Sequence, residues 1–272
     1  MSSVSLTWLY APGDRPDVVA KALTAGADVV VADLEDAVTP DRKAYARAAT
    51  AELLRDPQPV PVHVRVNAFA GPWGPADVAA PGLSGLRLPK VSSPSDVVRV
   101  ARRAVSARGG SPPLYALLEN ALGVEHAHAV ATAHPALRGI TLGEADLRAD
   151  LGVREDAGLD WCRARVVVAA RAAGLAPPAQ SVHPDIRDLE GLEASCVRGR
   201  ALGFLGRAAI HPRQLPVIER AYLPTEREIE QAETVLKAAA ATQGAQALPD
   251  GTFVDAAVVT AAHRTLALAH KR

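Results

Sequence analysis

Little in this chain serves cross-linking, export or long-range charge attraction. Its 272 residues include two cysteines, Cys162 and Cys196, both in helix-like stretches and without metal-type spacing. A disulfide framework is excluded on that count, and two reduced structural thiols are expected. Thirty basic and thirty acidic side chains cancel, so there is no broad field to draw in nucleic acid or an anionic membrane surface, although a local anion site is not excluded. No apolar run is long enough to cross a bilayer, and the first residues, Met-Ser-Ser-Val-Ser-Leu-Thr-Trp, lack the basic segment and long apolar stretch of an export signal. A cytoplasmic protein is expected. A glycine-rich phosphate loop is missing after the first strand-like run, where Pro12-Gly13-Asp14-Arg15 stands instead. That argues against an open doubly wound sheet, the runner-up fold.

What the chain does have is a regular alternation. With 49% hydrophobic residues it can close one large core, and α/β barrels reach this length undivided. Strand-like runs fall at residues 6–10, 27–32, 60–66, 85–88, 114–118, 137–142, 179–182 and 208–210. Helix-like segments lie between them, among them 16–24, which stops at Gly26, and 42–54, 95–108, 161–173 and 189–202. Eight strands separated by helices predict right-handed crossovers and closure as a (β/α)8 TIM barrel, an α/β fold, over residues 1–223. Beyond residue 223 the pattern changes. Thr225-Glu226-Arg227-Glu228 reads as a helix start, an alanine-rich helix runs up to Gln243-Gly244, Asp250-Gly251 marks a turn, and 255–268 reads as a last helix. Residues 224–272 are thus a C-terminal helical extension, either a plain packing pair or a lid over a neighbouring subunit.

Charge sits at the ends of three apolar runs: Asp33-Leu34-Glu35-Asp36, Arg65-Val66-Asn67 and Glu119-Asn120. Buried parallel strands that end in charge deliver side chains to the catalytic mouth of a barrel. An enzyme is the leading reading. His183 and His211 each precede a proline at a strand end and are read as hydrogen-bonded structural histidines rather than as bases.

Several stretches together carry a family resemblance. These are residues 10–15, the run 27–38 followed by Lys43 and Ala46-Arg47, Arg65-Val66-Asn67, Leu88-Pro89-Lys90, Leu118-Glu119, Gly143-Glu144-Ala145-Asp146-Leu147 and residues 203–214. In this order they resemble the citrate lyase β-subunit-like family of the HpcH/HpaI aldolase superfamily, over about residues 6–255. The resemblance implies a Mg2+-dependent barrel lyase, often trimeric, with Mn2+ as an alternative metal. Such an enzyme makes or breaks a carbon–carbon bond between an acyl-CoA unit and a 2-oxo acid, as in malyl-CoA, methylmalyl-CoA or citramalyl-CoA. Glu119 and Asp146 correspond to the metal ligands, and Mg2+ suits two carboxylates plus a chelating oxo acid. Arg65 corresponds to the cation that meets the developing oxyanion; Glu35 or Asp36 can hold it in its working orientation. The turn Gly143, Glu144, Ala145, Asp146 offers backbone N–H groups to the oxo-acid carboxylate. Arg15, Lys43 and Arg47 correspond to positions that bind coenzyme A, and Asp255 to an acid/base delivered to the adjacent subunit.

The chain departs from the family pattern at Gln180, where many relatives carry an acidic group, at Arg207, usually lysine, and at Ala256, usually proline. These departures bear on the substrate more than on the reaction class. Three other readings remain: an aldolase acting on free 2-oxo acids, a citrate lyase β subunit with a carrier-bound thioester, and a non-catalytic binding subunit. Arg65, Glu119 and Asp146 are all present, which speaks against the last.

Overall fold

Short apolar runs bounded by glycine, proline and charge fold as parallel strands buried on both faces. The computed structural model describes residues 4–78, 84–104, 111–241, 246–247, 251 and 253–271. Seven strands form one sheet: β1 (Thr7–Pro12), β2 (Val29–Asp33), β3 (Val62–Arg65), β4 (Gly85–Leu88), β5 (Leu114–Leu118), β6 (Leu137–Leu142) and β7 (Arg207–Ala209). Their order is β6-β5-β4-β3-β2-β1-β7, with every pairing parallel. Helices return the chain between most strands, so Val30, Ala32, Val62, Val64, Leu86 and Leu88 are buried. This is an α/β fold of the TIM-barrel type.

The eight-stranded ring predicted by the spacing is not complete among the described residues. The run 179–182 contributes a single parallel bridge, Gln180 to Arg207. Pro177 and Pro178 precede it and Pro184 follows, and prolines supply no N–H to a ladder. Bonds that each use one side chain tie this segment to the β6 end instead: the Thr141 hydroxyl donates to Ala179 O at 2.6 Å, and the Glu144 amide donates to Ser181 Oγ at 3.3 Å.

On the inner face, alternate residues carry the bulk. His63 of β3 stacks on Tyr115 of β5, with centroids 4.7 Å apart. Gly85 pairs with His63 and leaves room for its ring, since a Cβ there would stand 2.8 Å from the imidazole. Below the sheet, Asp28 Oδ2 accepts from the Leu6 and Thr7 amides at 2.7 and 3.0 Å and so fastens β1 to the start of β2. Cys162 and Cys196 are free and buried.

The chain divides into two compact units, Ser5–Ile218, and Glu219–Arg272 together with Val4. In the second, helices Glu226–Ala241 and Ala256–Ala269 pack through Ala232, Val235, Val254 and Ala262. Thr225 and Glu228 form the predicted helix start: the Thr225 amide donates to Glu228 Oε2 at 2.7 Å, and the Glu228 amide donates to Thr225 Oγ1 at 3.2 Å. Residues 105–108 of the expected fourth helix, Gln243, Gly244 and Asp250 lie outside the described residues. Among the described residues no helix is long and apolar enough to cross a membrane.

Candidate active site

Asp33, the last residue of β2, pairs in register with Arg65, the last of β3. That places a carboxylate beside a guanidinium, and the two form a fork: Arg65 Nε donates to Asp33 Oδ1 at 2.7 Å and Nη2 to Oδ2 at 2.6 Å. Asp33 also accepts the amides of Glu35 and Ala37, at 2.9 and 3.0 Å, which folds the loop after β2 back over the strand end. Arg65 Nη1 donates to Asp36 Oδ2 at 3.0 Å, and the Tyr10 ring lies 5.3 Å away. Burial works against the charge on Arg65, but the Asp33 hydrogen bonds and charge hold it protonated above its usual range. The sequence offered Glu35 and Asp36 as its carboxylates; Asp33 was missed, although its place at the end of β2, level with Arg65 at the end of β3, was the available signal.

Glu35 is a different kind of carboxylate. Its Oε2 stands 3.1 Å from Arg65 Nη1 yet makes no hydrogen bond, because Arg65 directs its N–H groups at Asp33 and Asp36. Burial therefore prevails over the attraction of Arg65, and the charges of Asp36 and Glu119 add to it, pushing Glu35 up to about 8.

Glu119, just beyond β5, is buried at 3% exposure. Its Oε1 accepts the Lys90 amide at 2.5 Å and lies 3.3 Å from Lys90 Nζ, and Asp146 Oδ2 lies 2.7 Å from the same ammonium. One cation thus touches both carboxylates, so two groups far apart in sequence do converge. Burial raises Glu119 above its ordinary carboxylate value against the pull of Lys90. Lys90 is itself raised: its loss of solvent is outweighed by Asp146 and Glu119. Lys90 has φ 57°, alone among the described non-glycine residues in being left-handed, a conformation that persists only where the surroundings enforce it. Gly143 admits Glu119: a Cβ on it would stand 2.3 Å from Glu119 Oε2. Among the described residues no group of three or more His, Cys, Asp or Glu is arranged to hold a metal. Two carboxylates converging on one cation nonetheless fit Mg2+, which fills its remaining positions with water or substrate.

The turn 143–146 is partly committed. The Gly143 amide donates to Leu118 O at 3.1 Å, extending the β5–β6 ladder, and the Glu144 amide meets Ser181. The Glu144 carboxylate forms a fork with buried Arg163, at 3.0 and 2.6 Å. Gly143 and Glu144 therefore shape the turn rather than present free donors. The amides of Ala145 and Asp146, at the start of the helix Glu144–Leu151, make no hydrogen bond among the described residues. One cavity is lined by Arg65, Asp36, Glu119 and residues Gly143 to Asp146.

The expected coenzyme A positions separate. Lys43 is buried, and its ammonium donates to Leu34 O and Glu35 O at 2.8 and 2.6 Å. Arg47 Nε donates to Asp77 at 2.7 Å, and Asp77 in turn accepts the Asn67 amide and Nδ2 at 2.9 and 2.7 Å. Both cations are committed to holding the loops after β2 and β3, whereas Arg15 is exposed at the start of the helix Pro16–Leu23. Asp255, in the second unit, caps the helix Ala256–Ala269 by accepting the amides of Ala257 and Val258, each at 2.9 Å. His211 accepts the Arg213 amide at 3.1 Å, and His183 Nε2 stands 3.5 Å from Asp188. Gln180 is spent on Ser195 O and Arg207, at 3.1 and 3.2 Å.

A family model described as HpcH/HpaI aldolase/citrate lyase matches residues 6–212. A (3S)-malyl-CoA thioesterase of Cereibacter sphaeroides is 36% identical over 96% of this chain and 93% of its own length. An L-malyl-CoA/beta-methylmalyl-CoA lyase of the same species is 31% identical over 90% and 86%. The crystal structure of the protein CitE from Mycobacterium tuberculosis, in complex with magnesium, acetoacetate and coenzyme A, superposes with a TM-score of 0.86 at 33% identity, covering 99% of this chain and 100% of that one.

Proposed function

The chain belongs to the HpcH/HpaI aldolase/citrate lyase family, and on that premise we propose that it is a Mg2+-dependent carbon–carbon lyase. It cleaves, or in reverse forms, a 3-hydroxyacyl-CoA thioester such as malyl-CoA, methylmalyl-CoA or citramalyl-CoA, and the products are an acyl-CoA and a 2-oxo acid. The observation that carries the reading is the single cavity where Arg65 meets the converging pair Glu119 and Asp146. The relatives named for malyl-CoA chemistry and the neighbour holding magnesium and coenzyme A support it.

Glu119 and Asp146 would hold the metal, which when bound supplies Lewis-acid stabilisation of a substrate oxygen. Arg65, fixed by Asp33 and Asp36, keeps one further N–H on each terminal nitrogen for the oxygen that turns negative as the thioester enolate forms. The Ala145 and Asp146 amides receive the oxo-acid carboxylate. Cleavage moves the hydroxyl proton to a base while the carbon–carbon electrons pass into the enolate, whose α-carbon then takes a proton. Glu35, with its affinity raised to about 8, still carries a proton at neutral pH and is the acid we assign to that second transfer. Asp255, acting on the site of an adjacent subunit, is the alternative. In this reading the fold is a (β/α)8 barrel with the 179–182 segment as its eighth stave, residues 224–272 are a lid, and the enzyme is a cytoplasmic homotrimer that binds the coenzyme A phosphates through Arg15.

The test is mass spectrometry of the purified protein with each of the three thioesters, with Mg2+ and with EDTA. Metal-dependent release of a 2-oxo acid and a shorter acyl-CoA is expected. Release of free coenzyme A and the intact hydroxy acid would instead assign thioester hydrolysis, the activity after which the 36% identical relative is named.

A further inference from the structure

Two cations at or beside the cavity are each offset by two carboxylates: Arg65, in its lining, by Asp33 and Asp36, and Lys90, against the lining residues Glu119 and Asp146, by those two. The same cavity holds a more deeply buried cation with no such offset. Arg87 of β4, in register between Arg65 and Tyr115, lines the cavity at 4% exposure. Its guanidinium lies over the rings of Trp8, Tyr10 and Tyr115, at 5.6, 5.9 and 5.6 Å. Its Nε is fully enclosed without a partner, and among the described residues none of its N–H groups donates to a protein acceptor. The adjacent His63 is neutral and so supplies no counter-charge: burial, reinforced by Arg87, pushes its imidazole down to about 3.

Aromatic faces attract a cation but accept none of its in-plane N–H bonds. A buried guanidinium left in that state is costly, and its planar fork matches a carboxylate. We propose that Arg87 is the anion receptor of the cavity floor and the residue that sets specificity: it takes a second carboxylate, carried by the 2-oxo acid at the end remote from its keto group. The inference rests on the reading above only in taking the ligand to be a 2-oxo acid; glyoxylate and pyruvate, the oxo acids of the three thioesters named there, carry no second carboxylate, so it directs the lyase assay to a thioester that yields a dicarboxylic oxo acid. Arg65 and Arg87 pair in register and both stand against the Tyr10 ring, at 5.3 and 5.9 Å, so a ligand that reaches Arg65 lies beside Arg87.

Calorimetric titration of the Mg2+-loaded protein tests this with chain-matched pairs, 2-oxobutyrate against oxaloacetate and 2-oxovalerate against 2-oxoglutarate. In at least one pair the dicarboxylate is expected to bind about tenfold to hundredfold tighter, the worth of charge-assisted hydrogen bonds. Arg87→Met brings that ratio close to one, and Arg87→Lys, which keeps the charge but not the fork, falls between. Equal affinities in both wild-type pairs overturn the proposal whether or not the methionine variant folds, and so does a wild-type ratio that survives undiminished in either variant. Binding of neither oxo acid overturns the oxo-acid reading and this proposal together. A wild-type dicarboxylate preference that Arg87→Met abolishes, with no turnover of a thioester that yields a dicarboxylic oxo acid, overturns the lyase reading alone.

Discussion

Glu35→Gln isolates one buried proton. The substitution keeps the shape of the side chain and removes its ability to ionise at a position 8% exposed. Burial raises the carboxyl from 4.5 to about 8, because Arg65 stands near it without a directed bond. Between those values the folded protein keeps a proton that the unfolded chain has lost. Wild-type stability from this group is therefore full below the unfolded value and is lost as pH rises through the folded one. A displacement of this size corresponds to at most about 5 kcal/mol, and relaxation around the new charge reduces it, so a difference of about 2–4 kcal/mol is expected. Urea unfolding of both proteins at intervals from about pH 5 to about pH 9 measures it directly. The wild-type curve should fall relative to the glutamine variant across that window, most steeply near neutrality. Parallel curves would refute the protonated Glu35, and with it the acid assigned to the enolate.

Three further substitutions bear on the same site. Glu119→Gln keeps an acceptor for the Lys90 amide, so folding should persist by circular dichroism while Mg2+-dependent turnover falls by about a hundredfold or more; full activity would sink the metal assignment. Gly143→Ala puts a methyl group 2.3 Å from Glu119 Oε2, which should cost about 1–3 kcal/mol of stability and weaken Mg2+ binding about tenfold or more in a metal titration. Unaltered metal affinity would show that Glu119 does not need its present position. Arg65→Lys loses the fork to Asp33, and we expect kcat to drop about a hundredfold with about 2 kcal/mol of stability lost; a change in KM alone would mean that Arg65 only binds substrate.

The strands were legible because their apolar runs end in charge, and the rim residues Asp33, Arg65 and Glu119 lie where those runs stop. The pairing of Asp33 with Arg65 depended on register, which fixes which carboxylate faces a given cation; nearness to Glu35 and Asp36 along the loop was a weaker guide. Lys43 and Arg47 show the limit more sharply. A lysine or arginine after a strand–helix turn reads as an exposed cation until the acceptors are known, and here the acceptors are the carbonyls of Leu34 and Glu35 and the distant Asp77. The run 179–182 has strand composition, but it pairs through one bridge, Gln180 to Arg207, between prolines that cannot extend the ladder. Arg87 drew no notice in the sequence, since nothing in Gly85-Leu86-Arg87-Leu88 reveals that three aromatic rings from two other strands surround it.

Lys90 joins strain, charge and the proposed metal into one argument. Its backbone amide and its side-chain ammonium both address Glu119 Oε1, at 2.5 and 3.3 Å. The ammonium is 40% exposed on a flexible stem, whereas the amide is fixed by a left-handed turn after Pro89. A divalent cation entering between Glu119 and Asp146 would have to displace the ammonium, but it need not disturb the amide, so Glu119 keeps its orientation against Gly143 whichever cation it faces. On that reasoning the strained φ of Lys90 would hold the proposed ligand in place through such an exchange, with the strain and the ion pairs on one residue.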